Sequence, residues 1–170
     1  MRYFVEIFPI LAEPNLVSIL VRTVLAIICA GLIGYDRHTH GAPAGLRTHI
    51  LVCVGAMIAM STGQYTSLVF GNADITRIGA QVVSGIGFLG AGSIIVTRSN
   101  HIAGLTTAAG LWASACIGLA LGVGFYEGAL VGTVAVYFTE SLIRGWSKSL
   151  RRNKGNFYRD DDKEVKSSED

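Results

Sequence analysis

Ile102–Leu121, IAGLTTAAGLWASACIGLAL, runs for twenty residues without a charge. As a helix rising about 1.5 Å per residue it is about 30 Å long, the thickness of a bilayer's hydrocarbon. Four more stretches resemble it. Leu16–Gly34 follows Glu13-Pro14-Asn15, a helix-start signal, and has Arg22 as its one charge. Thr48–Leu68 is uncharged unless His49 is protonated. Ile78–Val96 is bounded by Arg77 and Arg98. Phe125–Ile143 keeps Glu127 and Glu140 near its ends. The pattern predicts an all-α membrane protein with five transmembrane helices.

Composition agrees. Apolar residues make up 51% of the 170, charged residues 15%, and mean hydropathy is +0.48. Soluble domains carry about 25% charged residues. Of 14 + 12 = 26 charges, 14 fall in Arg144–Asp170, leaving 12 for the first 143 residues. So few charges exclude an ordinary soluble enzyme, a disordered chain and a basic nucleic-acid-binding domain. Two regions follow: a membrane-embedded domain over 1–143 and a charged tail over 144–170, expected to be largely disordered. Cys29, Cys53 and Cys116 lie in apolar stretches without a CxxC, which reads as packing rather than disulfide or zinc chemistry. Tyr3–Ala12 is short and broken by Glu6 and Pro9, so the N-terminus reads as retained.

Basic residues orient the bundle. Arg37 and Arg47 follow span one, Arg98 follows span three, and Arg144–Lys154 follow span five. With five spans these share one side, placing the N-terminus outside and the C-terminus in the cytoplasm. The tail cluster would rest against anionic headgroups.

Glycine is frequent, 21 of 170, against an average near 7%. Gly118 and Gly122 stand four apart, as do Gly124, Gly128 and Gly132, Gly87 and Ala91, and Ala26 and Ala30. Such pairs let helix backbones approach, predicting a tightly packed bundle. Gly85, Gly87 and Gly90, with Gly92 just beyond, spell a GxGxxG string, but it lies inside an apolar span and lacks the βαβ context of a nucleotide site. Two readings stay open: close packing, or an unwound segment exposing carbonyls. Under either, Gly85–Gly92 is the expected functional centre, with Gly87→Leu or Gly90→Leu more damaging than Gly132→Leu.

Two polar clusters are the candidate sites. One is the loop with Asp36, Arg37, His38, His40, Gly45, Arg47, Thr48 and His49. Its charges could latch spans one and two, contact a partner, or merely set topology. Asp36, His38 and His40 are too closely spaced to argue a metal site, and no cofactor is implied. The other is Gln81, Ser84, Thr106, Thr107 and Trp112, in spans three and four, joined by a short link over 97–101. Interhelical hydrogen bonds of about 0.6 kcal/mol per pair explain it most simply. Arg22 lies six residues inside span one, about 9 Å deep. It could snorkel to the outer headgroups or serve a function.

These residues resemble the MgtC/SapB family of bacterial inner-membrane proteins over about Leu16–Ile143. The resemblance rests on Arg22, Ala26, Gly31, Ile33-Gly34 and Arg37, then Ala44–His49, Gln81, Gly85–Gly92, Gly104–Ala109, Trp112 and Gly118. It implies a multi-pass protein tied to survival in low magnesium, and restraint of the F-type ATP synthase rather than proven magnesium transport. Asp36 replaces a common Glu, and only 26 residues follow Arg144, so the resemblance is to a short form without the cytoplasmic C-terminal domain. The leading expectation is a non-enzymatic regulator acting through helix–helix contacts, with a lipid bilayer, another membrane complex and a second copy as partners and no nucleic acid. The alternative is a small cation transporter or channel, against which stands the absence of Asp or Glu near any span's middle. No single span carries a nucleophile–base pair or HExxH motif, so an enzyme is the weakest reading.

Overall fold

The computed structural model describes residues 11, 13–71, 74–96 and 102–141. The N-terminal segment, the link over 97–101 and the tail, with the readings made on them, lie outside the described residues. The chain divides into two compact units, 1–136 and 137–170. The first holds α1 (Leu16–Thr39), α2 (Leu46–Phe70), α3 (Ile75–Gly92), β1 (Ile95–Val96), β2 (Ile102–Ala103) and α4 (Leu105–Gly122). It closes with α5, helical from 126 to the unit's end at 136. In the second unit 137–141 are helical, with Tyr137 and Phe138 edge to face at 6.4 Å.

Local chemistry sets the boundaries. Asn15 caps α1 in a reciprocal box: Ser18 N–H donates to Asn15 Oδ1 and Asn15 N–H to Ser18 Oγ, both at 2.9 Å. Asp74 caps α3, accepting from Thr76 N–H at 3.0 Å and Thr76 Oγ at 2.5 Å. The Thr76 hydroxyl, helped by backbone donors and Arg77, holds the exposed Asp74 carboxyl below its ordinary range. That contribution is complete above the unfolded carboxyl's pKa and is lost as pH falls through the lowered one.

The spans differ from the expectation between α3 and α4. Helix α3 stops at Gly92 rather than continuing to Val96, and α4 starts at Leu105 rather than Ile102. Ile95 pairs with Ala103 and Val96 with Ile102 in a short antiparallel ribbon. Gly104 turns the chain into α4 at φ +92°, where a β-carbon would overlap the Ser93 carbonyl, so only glycine fits. The first helices run past their predicted ends, to Thr39 and Phe70.

Among the described residues three helices are long and apolar enough to cross a membrane: α1, α2 and α4. The distribution of side chains suits lipid. On α1 the inward stripe is Ser18, Arg22, Ala26, Ala30, Ile33 and Arg37, small and polar in large part. Leu16, Leu20, Val24, Ile28 and Leu32 point away from the bundle, each about half exposed or more. Water would punish so large an apolar exterior; hydrocarbon does not. Helix α4 contacts α1, α2 and α3, with its longest seam against α2. Cys29, Ile33, Cys53, Met57, Ile117 and Leu121 fill the axis between α1, α2 and α4.

Glycines sort into two groups. At Gly118 a β-carbon would overlap the Cys53 carbonyl, and at Gly122 it would lie 2.6 Å from the Met57 carbonyl oxygen. At Gly34 it would lie 2.8 Å from Leu46 Cα. At Gly85, Gly87 and Gly92, by contrast, it would meet nothing within 4 Å. Of the four glycines in Gly85–Gly92 only Gly90 faces a neighbour, with Ala108 Cβ 3.5 Å from such a carbon. The segment is regular helix, so it is neither the packing centre nor the unwound one expected.

Candidate functional site

Two buried polar networks flank the apolar axis. The first centres on Arg22, which is fully buried and does not snorkel. Its Nε donates to Tyr126 Oη at 3.2 Å, its Nη1 to Gln64 Oε1 at 2.8 Å and to the Gly122 carbonyl at 2.7 Å, and its Nη2 to the Leu11 carbonyl at 3.1 Å. Tyr126 Oη also donates to Leu11 O at 3.2 Å, and Ser61 Oγ to Gly122 O at 3.1 Å.

The end of α4 explains why a guanidinium belongs there. Phe125 N–H returns to Ala120 O at 2.8 Å and Gly124 N–H to Leu121 O at 3.0 Å, the Schellman pattern with Gly124 left-handed at φ +81°. That pattern leaves the Gly122 carbonyl open at the negative end of the helix dipole. Arg22 and Ser61 fill it, so α1, α2 and α4 meet at one oxygen.

The second network lies at the other end of α1. Arg37 Nη2 donates to Thr107 Oγ at 2.8 Å, and His49 Nδ1 shares a 2.9 Å hydrogen bond with Ser114 Oγ. His49, Thr107 and Ser114 are buried, as is nearly all of Arg37. Thr107 and Ser114 are seven residues apart, two turns on the same face of α4. Gly34 lets the first turn of α2 close on α1, since a β-carbon there would lie 3.0 Å from His49 Cβ. A hydroxyl beside an imidazole resembles a nucleophile–base pair, but both are sealed from any substrate, and a helix-tying bond is what the geometry supplies.

The other sequence candidates are placed apart from these networks. Asp36 is half-buried, with its Oδ1 3.5 Å from His40 Nδ1. Gly45 precedes α2 beside His38, and Arg47 and Thr48 are exposed on its first turn. Arg37 therefore ties α1 to α4, while Arg47 points outward rather than latching the first two spans. Gln81 and Ser84 are exposed on α3, Thr106 is exposed on α4, and Trp112 is 48% exposed. Gln81 and Ser84 thus do not meet Thr107, which turns to Arg37. An open apolar groove of about 390 Å³ runs between α2 and α3, lined by Leu51, Gly55, Val82, Gly85 and Leu89. Among the described residues no three His, Cys, Asp or Glu side chains are grouped to hold a metal.

Gln64, Ser61, Tyr126 and Ser114 are the polar partners that sequence reasoning missed. Gln64 and Tyr126 are 42 and 104 positions from Arg22, and no local spacing joins them. A buried arginine was the available signal, because it must find acceptors. Arg37→Lys should lower stability by about 1–2 kcal/mol, because ammonium does not reproduce the guanidinium fork, while Arg47→Lys should stay within about 0.5 kcal/mol. Thermal unfolding of the two variants in detergent measures the difference.

A helical bundle with an apolar exterior and buried polar networks inside defines a membrane protein. The sequence profile of the MgtC family matches residues 23–148, and the chain belongs to that family. It is 45% identical over 120 residues to YhiD of Escherichia coli (strain K12), a candidate magnesium transporter by its name, covering 68% of this chain and 55% of that protein. Protein MgtC of Brucella abortus (strain 2308) is 45% identical over 119 residues, 70% of this chain and 48% of that one. Protein MgtC of Salmonella typhimurium (strain 14028s) is 41% identical over 119 residues, with 70% and 49% covered. The chain spans about half the length of these curated relatives. No solved structure matches.

Proposed function

We propose that this chain is a non-enzymatic, multi-pass protein of the bacterial inner membrane that regulates another membrane complex, such as the F-type ATP synthase, when magnesium is scarce. The observation carrying this reading is the filled axis. Ile33, Met57 and Leu121 are fully buried between the Arg22 and Arg37 networks. A magnesium path needs oxygen ligands and waters along its length, since the ion dehydrates reluctantly. An apolar plug of packed side chains suits a rigid body that works through its surface. The transport reading is favoured by YhiD's name. Proteoliposomes discriminate: no magnesium flux above empty vesicles, together with a membrane complex retained by the tagged chain, is the expected result. Protein-dependent flux would replace regulation by transport.

The topology belongs to the same proposal: five spans, N-terminus outside, C-terminus in the cytoplasm. A reporter fused after Asp170 should behave as cytoplasmic and one before Leu16 as external. A periplasmic signal from the Asp170 fusion would overturn the odd number of spans.

A further inference from the structure

Helices α2 and α3 touch at one end and part at the other. Toward the start of α3 they are in contact: a β-carbon on Gly63 would lie 2.8 Å from Ile78 Cδ1, and one on Gly79 would lie 3.7 Å from Met60 Sδ. From Val82 onward they separate into the apolar groove of about 390 Å³, floored by Ala56, Ile86 and Ala115. A second cavity of about 410 Å³, also bordered by Leu89, continues it past Phe88 and Gly92 to Thr48 and Ser93. Glycine keeps this trough open. Gly55 on α2 and Gly85 and Gly92 on α3 border it, and a β-carbon on any of them would meet nothing within 4 Å. Val82 to Gly92 is ten residues, about 15 Å of helix, half the thickness of a bilayer's hydrocarbon. The trough is therefore one leaflet deep, closed at its inner end by Ile78 and open at the level of the headgroups. Charge gathers at the open end. Arg47 is exposed beside the exposed Thr48, and among the described residues no carboxylate pairs with it, whereas Arg77 at the opposite end has Asp74.

We propose that the trough binds one anionic phospholipid, with an acyl chain lying between α2 and α3 and the phosphate held by the Arg47 guanidinium and the Thr48 hydroxyl. The inference rests on the membrane-spanning reading of the chain. Shape and charge both select this occupant. A helix from a second copy or from another protein would need a seam that continues across the bilayer, and Ile78 against Gly63 ends this one halfway. An acyl chain spans one leaflet and no more. A guanidinium at the headgroup level matches a phosphate in charge and in hydrogen-bond geometry, and it favours a headgroup of net negative charge over a zwitterionic one. Gly85 and Gly92 thereby have a role that packing does not give them: their missing side chains leave room for the lipid.

Native mass spectrometry tests this, on the full chain taken from membranes washed with alkaline carbonate and then transferred to detergent. The probes are dioleoyl phosphatidylglycerol and dioleoyl phosphatidylcholine. The chain should stay in the washed membranes. It should then bind one phosphatidylglycerol at least about fivefold more tightly than phosphatidylcholine, the worth of one arginine at an anionic surface. Arg47→Gln should bring the two lipids level. Gly55→Leu and Gly85→Leu should each lose at least about tenfold in affinity for both lipids, because leucine fills the trough. Gly87→Leu, which does not border the trough, should bind as the wild type does. Without lipid, the three leucine variants should unfold at the wild-type temperature, because the space around each glycine is open. Release by carbonate would overturn the membrane reading and the lipid site with it. Retention without a preference for phosphatidylglycerol, or with a preference that survives Arg47→Gln, would overturn the lipid site alone. So would undiminished binding to Gly85→Leu, an equal loss in Gly87→Leu, a lowered lipid-free unfolding temperature in Gly85→Leu, or a second chain bound in place of lipid.

Discussion

Arg22→Leu should sharply reduce accumulation of the protein and lower its stability by about 3–5 kcal/mol, the scale for removing one member of a buried charged hydrogen-bond set. Leucine fits the volume and the lipid, so the loss comes from what it leaves behind. Gln64 Oε1, Tyr126 Oη and the Gly122 and Leu11 carbonyls lose a common donor, in a place that water does not reach. Arg22→Lys should recover only part, because one ammonium cannot reach partners fanned around a planar fork. Thermal unfolding in detergent measures both. Wild-type stability in Arg22→Leu would mean that the network is not holding α1, α2 and α4 together. A Gln64→Leu variant should be milder, at about 1–2 kcal/mol, since Arg22 keeps its carbonyl acceptors.

Gly118→Leu should be as severe, for the opposite reason. It adds atoms where α2 and α4 already touch, with the Cys53 backbone in the way and the Ala56 methyl beside it. Backbone does not rotate aside as a side chain does, so the helices must separate and the cost exceeds the usual 1–3 kcal/mol of overpacking. Gly122→Leu faces the Met57 carbonyl in the same seam. Gly87→Leu should accumulate normally, and Gly132→Leu should cost little more, since Ile117 lies 3.7 Å from a β-carbon there. Pulse-chase turnover of the four variants gives the ranking. Equal turnover of Gly118→Leu and Gly87→Leu would show that the α2–α4 seam is looser than its geometry.

That ranking concerns stability, and the expectation that Gly85–Gly92 is the functional centre of the bundle, with Gly87→Leu or Gly90→Leu costing more activity than Gly132→Leu, is separate from it. Four glycines in eight residues looked like the tightest place in the chain, and three of them face open space. Spacing shows that a helix has a small-residue face; it does not show what lies against it. Gly118 and Gly122 have the same spacing and do lie against a backbone.

The membrane class, the stretches that become helices and the family were legible in the order of residues. Long uncharged runs, the Asn15 cap and the blocks from Arg22 to Gly118 are local, and local chemistry suffices to read them. The sides that the helices present were decided by tertiary structure alone. In water an apolar stripe marks the core, but in a bilayer lipid and core are both apolar, and the stripe loses its direction. So the sequence placed Arg22 inside a span without saying whether it faced headgroups or the bundle, and grouped Gln81 with Thr107 although one points outward and the other joins Arg37. The Gly122 carbonyl that gathers Arg22 and Ser61 is open only because α4 ends where it does, beside two helices brought there by the fold.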